Sequence, residues 1–427
     1  MKDIKAQYRT VMDDHFPPTM TITLGEATLT YRKRTWKLKG DDGVLEEKGL
    51  RYGENPGQEA ALYQLVKGNL SLGGLEMINP GNGLVSAIND EDMLQAGKHP
   101  GKTNFTDVDN ALNILRNFKD IPAAAIMKHN NPSGVAISET LEKAYERAFT
   151  ADMVAAFGGA AVVNKPLDKT TASMMGELYL EVIAAPEFED GVMDILSKWK
   201  NLRILRIPNI ARIYDYHDMR FLDIKSLIDG GLIVQTSALN AMTGPQDFMP
   251  ASATHKGQTY TIERQPTPKE LADAFFGWAV EQGVTSNSVL FVKDGCTVSV
   301  GAGQQDRVGV ARLAVDRAYD KYMDRLAWQY TRMSLESLRE MIAAGKQRVY
   351  LLNQIDEEAK QVNAGLKESV MVSDAFFPFR DGVDVGLNQG ARLVVQPGGA
   401  IRDWEIIEAC NQAQASMVFS GQRAFKH

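Results

Sequence analysis

The sequence predicts an α/β protein built from more than one compact region. Short apolar runs that suit buried strands, such as residues 121–127 and 391–396, alternate with stretches whose apolar residues recur at helical spacing. The chain has 427 residues, 44% hydrophobic and 24% charged, and at about 150 residues per domain this length favours two to three domains. We predict a leader over residues 1–50, a first subdomain over 51–240 and a second over 241–427.

Composition argues against several classes of protein. The longest apolar run, residues 154–163, is about half the length needed to cross a bilayer, and the N-terminus has no apolar signal segment. Cys296 and Cys410 lie far apart and form no metal-binding pattern, so we expect a reducing, cytoplasmic location and no structural metal. The net charge of −7 argues against a general nucleic-acid binder.

Local patterns locate strands and loops near the two predicted boundaries. Residues 19–24 alternate as a strand does, whereas residues 40–48 have the Gly, Asp and Glu content of a loop. Residues 236–262 also have a loop-like composition, and we expect them to connect the two subdomains.

Three stretches predict helices. Ser138 can cap a helix, and Thr267 begins a capping box that closes at Glu270, with Gly283 ending that helix. Residues 305–345 predict a long helical excursion. The apolar stripes of the first two helices are expected to face a core, and they comprise Leu141, Ala144, Tyr145 and Ala148 in one helix and Leu271, Ala274, Phe275, Trp278 and Ala279 in the other.

The apolar run 121–127 ends at Lys128 and His129, and the turn 130–134 follows. Groups at the carboxyl end of a strand face the ligand crevice in open α/β sheets. The dipeptide therefore offers a cation and a titratable base at a candidate site. A surface lysine beside a capping histidine explains the same pattern equally well.

Two segments in the last quarter of the chain also carry candidate ligand contacts. Residues 373–381, SDAFFPFRD, suit a planar ligand that stacks on rings, although an aromatic core strand with a solvated end is the favoured interpretation in isolation. Residues 397–399 precede a helix that opens near Asp403, where free N–H groups can hold an anion or an amide. Ordinary turn chemistry is the favoured interpretation of that segment in isolation.

Taken together, these motifs resemble the formyltransferase domain of the bifunctional purine-biosynthesis enzyme, the AICAR transformylase family. The resemblance runs from residue 51 to residue 427 and is carried by many segments in the same order. These segments include RYGENPGQEAALY (51–63), KHNNPSGVAI (128–137), AFGGAAVV (156–163), RQPTPKE (264–270), SNSV (286–289), GAGQQDRV (301–308), SDAFFPFRDGVD (373–384), QPGGAIRDWEIIEAC (396–410) and RAFKH (423–427).

The resemblance implies a fold of two tandem cytidine-deaminase-like α/β subdomains with mixed sheets and flanking helices, working as a homodimer. It implies transfer of the formyl group of 10-formyltetrahydrofolate, a co-substrate, to the 5-amino group of AICAR ribonucleotide, giving FAICAR and tetrahydrofolate. Neither a nucleic acid nor a membrane is an expected partner. A K⁺ ion near Thr285 and Asp374 is a further expectation.

The resemblance also assigns roles to residues. It implies that catalysis falls to Lys128, His129 and Asn287. It places the nucleotide against Arg51, Tyr52, Asn104, Gly158, Glu181, Phe376, Arg423 and His427, and the folate against Phe157, Arg307, Val308, Pro378, Asp381, Gly399 and Ala400. In isolation, a frayed terminus is the favoured interpretation of residues 423–427.

This sequence departs from the family pattern at four positions and in what precedes residue 51. Gly57 stands where the family has His, Thr285 where it has Lys, Glu181 where some members have Asp, and Ala400 where Ser is frequent. Only 50 residues precede the resemblance, so we expect the cyclohydrolase step to need another protein. A non-catalytic AICAR- or folate-binding paralogue and a related one-carbon transferase are the alternatives.

Overall fold

A computed structural model describes residues 10–12, 14–39 and 44–427. Its described strands are β1 (Thr19–Leu24), β2 (Ala27–Arg34), β3 (Trp36–Lys39), β4 (Leu45–Lys48), β5 (Leu62–Lys67), β6 (Met93–Gln95), β7 (Ala123–Lys128), β8 (Asn131–Ile137), β9 (Ala160–Val163), β10 (Val182–Ala185), β11 (Arg203–Arg206), β12 (Leu222–Ser226), β13 (Leu232–Thr236), β14 (Met249–Pro250), β15 (Ser252–His255), β16 (Gln258–Thr261), β17 (Val289–Lys293), β18 (Cys296–Gly301), β19 (Val370–Ser373), β20 (Leu393–Gln396) and β21 (Ser416–Phe419).

The described α-helices are α1 (Lys102–Leu115), α2 (Leu141–Ala151), α3 (Met153–Ala156), α4 (Lys169–Met175), α5 (Val192–Leu196), α6 (Pro268–Glu281), α7 (Arg307–Thr331), α8 (Leu335–Ala343), α9 (Tyr350–Gln361), α10 (Arg380–Leu387) and α11 (Asp403–Gln412). Strands and helices alternate along most of the chain, which confirms the predicted α/β class. Within the described ranges, no helix is both long and apolar enough to cross a bilayer.

The chain divides into two compact units. Unit 1 comprises Met1–Pro122 and Gly158–Asn240, and unit 2 comprises Ala123–Phe157 and Ala241–His427. The change of unit between residues 240 and 241 falls where a subdomain boundary was predicted. Residues 123–157, however, group with unit 2, because β7 and β8 form an antiparallel hairpin and β8 also pairs with β18.

Unit 1 contains a mixed sheet and smaller antiparallel sheets. Strands β9, β10 and β11 are parallel, and β6 runs antiparallel to β11. Strands β1, β2 and β5 form an antiparallel sheet, and both β3 with β4 and β12 with β13 form hairpins. The all-buried β9 and β10 are typical of parallel strands covered on both faces.

Unit 2 contains a mixed sheet with the strand order β14-β21-β20-β19-β17-β18-β8-β7. The pairs β19–β20 and β20–β21 are parallel, and the other neighbours are antiparallel. Its core packs Phe291, Met371 and Phe377 with apolar residues of α7 and α11. Burying each large side chain of this kind contributes about 1.5–3 kcal/mol.

Several predicted elements are confirmed, and others need correction. Strand β1 matches the prediction, and the capping box of α6 is present, with Thr267 accepting from the N–H of Glu270. The cap of α2 is Thr140 rather than Ser138, because Thr140 is the extended residue just before the helix and accepts from the N–H of Lys143.

The predicted loops contain more structure than expected. Strand β4 lies within the predicted loop 40–48, of which residues 40–43 lie outside the described residues, and β4 is stabilised by pairing with β3. The predicted connection over 236–262 contains β14 and the hairpin of β15 with β16. The helical excursion predicted over 305–345 is confirmed as α7 and α8.

Candidate active site

The turn that follows β7 displays the predicted catalytic dipeptide. Lys128 is the last residue of the strand and faces Asn131 across the hairpin. His129 and Asn130 lie between them with φ of 53° and 61°, as expected for a two-residue hairpin turn with a left-handed backbone at both positions. Lys128 is half-buried and His129 is exposed. The predicted position at the end of a buried strand is confirmed.

Hydrogen bonds attach this turn to a segment 150 residues further along. The side-chain Oδ1 of Asn131 accepts the N–H of Thr285 at 2.9 Å. The ammonium of Lys426 donates to the carbonyl of Asn130 at 3.2 Å, and the N–H of Ser286 donates to the carbonyl of Lys426 at 2.9 Å. Three motifs that are distant in sequence, at residues 128–131, 285–287 and 423–427, are therefore neighbours in unit 2.

The amide of Asn287 is held in one orientation. Its Nδ2 donates to the carbonyls of Gln304 at 2.9 Å and Gln305 at 3.2 Å, and its Oδ1 accepts from Nη2 of Arg307 at 2.8 Å. These partners fix which end of the amide is oxygen. Both amide hydrogens are engaged, so the free lone pair on Oδ1 is the group that Asn287 can offer to a bound molecule.

Arg307, which was predicted to contact folate, points into the interior of unit 2. Its Nη1 donates to the carbonyl of Ser288 at 2.9 Å and to Oγ of Ser373 at 3.1 Å, and it forms an ion pair with the carboxylate of Asp374. Arg307 therefore fixes the side chain of Asn287 from the interior of unit 2, through its hydrogen bond to Oδ1. Val308, the next residue, is half-buried.

A fully buried acid that sequence reasoning missed completes this network. Oε1 of Glu281 accepts from the hydroxyl of Ser288 at 2.9 Å. Burial, followed by the nearby charge of Asp374, raises the pKa of Glu281 well above its usual value and so favours its protonated form. Within the described part of the chain, Oε2 of Glu281 and Oδ2 of Asp374 are buried without a hydrogen-bond partner. The sequence did contain a signal for this burial. Glu281 lies three residues after Trp278, on the same face of α6, and therefore continues its buried stripe.

The aromatic segment at 373–381 is divided between the core and the surface. Phe377 is fully buried, whereas Phe376 and Phe379 are exposed. Pro378 and Asp381 are exposed as well, and Asp381 accepts the N–H of Gly382 at 2.8 Å. The ring face predicted for a planar ligand therefore consists of two phenylalanines rather than three.

The turn before α11 is capped from within. The N–H groups of Gly399 and Ala400 both donate to Oδ2 of Asp403, at 2.7 and 3.0 Å. The interpretation as ordinary turn chemistry is therefore confirmed, and the alternative, that these N–H groups are free to hold an anion, is wrong because Asp403 accepts from both. A folate contact by this turn stays a prediction.

The C-terminal segment is anchored. The N–H of Ala424 donates to the carbonyl of Asp374 at 2.9 Å, and that of Lys426 donates to Oγ of Ser286 at 3.1 Å. The exposed guanidinium of Arg423 lies 4.9 Å from the ring centre of Phe425, whose ring meets His427 edge-on. The frayed interpretation does not describe this segment.

In unit 1, three predicted nucleotide-binding residues come together. Asn104, in the first turn of α1, donates from Nδ2 to Oε2 of Glu181 at 3.2 Å. The N–H of Glu181 donates to the carbonyl of Gly159 at 3.0 Å, next to Gly158, whose φ of 69° suits glycine.

Arg51 and Tyr52 form a second pair in unit 1. The guanidinium of Arg51 lies 4.6 Å from the ring centre of Tyr52 and donates to its hydroxyl at 3.0 Å. Arg51 is buried, and its Nε has no partner among the described residues. It therefore has a donor to spare for an anion.

A second guanidinium, which the sequence analysis missed, lies beside Glu181. Arg203 is 1% exposed, its Nη1 is 3.7 Å from Oε2 of Glu181, and its Nη2 donates to the carbonyl of His99 at 3.4 Å. Burial, followed by the charge of Arg51, lowers the pKa of Arg203 to about 10. Its Nε also lacks a partner in the described residues. The available signal was the pair of arginines, Arg203 and Arg206, that flank two apolar residues in β11.

His99 completes the unit 1 cluster as a neutral group. One ring nitrogen, Nε2, is bonded to the carbonyl of Gly49. Burial lowers the pKa of His99 to about 4, and the charges of Arg51 and Arg203 contribute to the shift. At neutral pH the cluster thus contains two guanidinium charges and one carboxylate.

Comparison with known proteins shows the family of the chain. Residues 19–317 match the family described as AICARFT/IMPCHase bienzyme. The bifunctional purine biosynthesis protein PurH of Persephonella marina is 36% identical over 382 residues, covering 88% of this chain and 59% of that protein. Its counterpart in Chlorobaculum parvum is 34% identical over 416 residues, covering 96% of this chain and 65% of that protein. The chain thus spans about three-fifths of the length of these curated relatives.

Proposed function

The chain belongs to the AICARFT/IMPCHase bienzyme family, and we propose that it transfers the formyl group of 10-formyltetrahydrofolate to the 5-amino group of AICAR ribonucleotide. The products are FAICAR and tetrahydrofolate. The observation that carries this proposal is the convergence of the Lys128–His129 turn, the segment of Asn287 and the C-terminal segment in unit 2.

The reaction needs a base and a stabiliser of negative charge. The amine of AICAR is a weak nucleophile, because its lone pair is delocalised toward the carboxamide, and it must lose a proton as it attacks the formyl carbon. Histidine suits this task near neutral pH, and His129 is exposed at the turn. Lys128 can stabilise the tetrahedral oxyanion or protonate the leaving folate nitrogen. The free lone pair on Oδ1 of Asn287 can accept an N–H of the carboxamide.

The nucleotide contacts follow from charge. Planar guanidinium groups match phosphate oxygens in pairs, so Arg51 in unit 1 and Arg423 in unit 2 are each proposed as a phosphate ligand. The carboxylate of Glu181, oriented by Asn104, can accept from sugar hydroxyls. Phe376 offers a ring face to the base, and His427 lies in the same C-terminal segment as Arg423.

The folate is assigned to the remaining exposed groups of unit 2. Phe157 and Pro378 present apolar surface, and Asp381 presents a carboxylate that can pair with the donor edge of the pterin. Arg307 supports this site indirectly by fixing Asn287. A K⁺ ion near Thr285 and Asp374 is also part of this proposal. The backbone carbonyl of each residue accepts one N–H and retains a second lone pair that can coordinate the ion.

We also propose that the enzyme works as a homodimer. The hairpin of β12 and β13 in unit 1 exposes Ile224, Leu232 and Val234, which share one face of the hairpin. An isolated two-stranded hairpin is marginally stable in water, and a contiguous apolar patch marks an interaction surface. Light scattering is expected to give twice the 47.1 kDa chain mass and, for Val234→Asp, a shift toward the single chain. A fully active wild-type protein at the mass of one chain would overturn this proposal.

One assay tests the transfer reaction. Purified protein is mixed with AICAR and 10-formyltetrahydrofolate, tetrahydrofolate release is followed, and the nucleotides are separated by chromatography. We expect FAICAR to accumulate. Binding of both substrates without turnover would favour the non-catalytic paralogue, and enzyme-dependent formation of IMP would assign a cyclohydrolase step to this chain.

Substitutions at the turn test the assignment of the base and the cation. Lys128→Ala and His129→Ala are each expected to reduce kcat by about 10²- to 10⁴-fold, with a smaller change in AICAR binding, because loss of a general acid or base has that effect. Lys143→Ala, at an exposed lysine of α2, is the matched control. Near-wild-type kcat in either turn variant at saturating substrates removes that residue from the mechanism.

A further inference from the structure

Unit 2 contains a cavity of about 240 Å³ far from the catalytic turn. Its lining includes Cys296 at the start of β18 and Arg147 on α2. Cys296 pairs with Ala136, near the end of β8 that is remote from the turn, whereas Asn131 at the start of β8 pairs with Lys128. Six residue steps of strand separate the two ends of β8, which corresponds to about 20 Å.

Four basic side chains line this cavity, and two of them carry guanidinium groups without an acidic partner. Arg147 donates from Nη1 to the carbonyl of Ile137 at 3.0 Å and from Nη2 to the carbonyl of Asp294. These carbonyls fix the guanidinium without neutralising it. Arg325 lies 4.4 Å from the ring centre of Tyr322. Across the residues that the structure describes, no carboxylate forms an ion pair with Arg147 or Arg325.

The other charges near the cavity are already paired. Lys321 forms a largely buried ion pair with Asp152 at 2.9 Å. Lys293 donates to the carbonyl of Lys367 at 2.9 Å and lies 3.7 Å from Glu368. The carboxylate of Asp294, which also lines the cavity, pairs with the exposed Lys269.

The thiol of Cys296 does not supply the missing negative charge. Burial raises the pKa of the Cys296 thiol to about 11, although Arg147 and Arg325 act in the opposite direction. The thiol is therefore neutral at physiological pH. Two guanidinium charges are left facing a partly enclosed space without an anion.

We propose that this cavity is a binding site for a phosphate group, carried by pyrophosphate or by a small phosphomonoester. Paired guanidinium groups bind phosphate oxygens in a bidentate manner. Water in bulk occupies about 30 Å³ per molecule, so the cavity has room for roughly eight waters, or for a phosphate with a small organic group. The site is separate from the transfer site, and its existence does not depend on the transfer reaction.

Calorimetric titration tests this site directly, with the full chain at constant ionic strength. The probes are inorganic pyrophosphate and ribose 5-phosphate, which distinguish a free polyphosphate from a phosphomonoester, and acetate is the control anion. We expect saturable binding of at least one phosphate probe at the cavity. Absence of any saturable heat above that of acetate would overturn the proposal.

Arg325→Met should weaken phosphate binding roughly 10- to 100-fold, as expected for loss of a charge-assisted hydrogen bond. Arg332→Met is the matched control. Like Arg325, Arg332 lies near the C-terminal end of α7 and close to an aromatic ring, that of Trp328, but it is exposed and does not line the cavity. Arg325→Lys, which retains a charge, provides a second variant if Arg325→Met does not fold, and it should bind more weakly than the wild type.

Arg423→Met separates the cavity from the transfer site, where phosphate is also expected to bind. Cavity binding should persist in this variant. Binding that survives Arg325→Met but is lost in Arg423→Met would place the anion at the transfer site and would overturn the proposal. Turnover with AICAR and 10-formyltetrahydrofolate is measured separately, so a failure of the proposed reaction has its own readout.

Discussion

In unit 1, Arg203 lies beside one carboxylate and close to a second guanidinium, whereas in unit 2 Arg307 lies beside two carboxyl groups. The unit 1 cluster leaves buried nitrogen atoms without partners, at Nε of Arg51 and Nε of Arg203. The unit 2 cluster leaves buried oxygen atoms without partners, at Glu281 and Asp374. Both statements concern the residues that the structure describes.

The difference suggests two uses of a buried arginine. Excess donors and positive charge in unit 1 prepare a site for an anion, which agrees with the phosphate role proposed for Arg51. In unit 2, burial favours the neutral form of Glu281, and Arg307 forms an ion pair with Asp374. A balanced pair has little to offer a ligand, but it can hold Asn287 rigidly.

The largest expected effect is on stability in unit 2. Arg307→Met leaves Asp374 charged and unpaired in the core, and removing one partner of a buried ion pair costs about 3–5 kcal/mol. We expect urea denaturation to show a loss of this size, together with reduced turnover, because Asn287 loses the donor at its Oδ1. A variant as stable as the wild type would show that Asp374 does not depend on Arg307.

Arg203 in unit 1 should behave in the opposite way. Arg203→Met removes a positive charge that is repelled by Arg51. The carboxylate of Glu181 loses a partner but is partly exposed to water, so we expect little loss of stability. AICAR binding should weaken by about 1.5–3 kcal/mol, the usual contribution of a charged hydrogen bond. The AICAR Kd and the urea midpoint are measured on the same preparation.

A double-mutant cycle with Glu181→Gln shows how Arg203 acts. If Arg203 works by orienting Glu181, the effect of Arg203→Met on the AICAR Kd should shrink when Glu181 is already changed. Arg203→Lys keeps the charge without the planar fork and should be intermediate. Strictly additive effects would instead assign Arg203 a direct contact with the anion.

The unit 1 cluster should also make stability depend on pH. The pKa of His99 is about 4 in the folded chain and about 6.5 when unfolded, so between these values the unfolded chain takes up a proton that the folded chain does not. Stability therefore falls as the pH drops from 7.5 toward 4, and this residue alone should contribute about 2 kcal/mol by pH 5. His99→Gln is expected to remove that part of the slope, and His255→Gln, in unit 2, to leave it unchanged.

Local signals explain which features the sequence could predict. The strand that ends at Lys128 and the capping box at Thr267 each depend only on residues that are neighbours in sequence, and both predictions are confirmed. The roles of Arg203 and Glu281 depend on partners in other elements, namely Glu181 and Asp374. For the same reason, composition alone suggested a loop where β4 pairs with β3, and it did not indicate that residues 123–157 belong with unit 2.

The smallest expected effect tests whether Glu281 is neutral. Glu281→Gln replaces a protonated acid with an amide that can still accept from Ser288 and donate toward Asp374, so the loss of stability at pH 5 should be below about 1 kcal/mol. In the wild type the folded chain retains a proton that the unfolded chain releases above pH 4.5, and stability should therefore decline as the pH rises through the window between 4.5 and the raised pKa of Glu281. Urea unfolding at pH 5 and pH 9 should show this decline in the wild type and a smaller one in the variant. A loss as large as that of Arg307→Met would mean that Glu281 is charged, and unit 2 would then hold two anions against its single buried arginine.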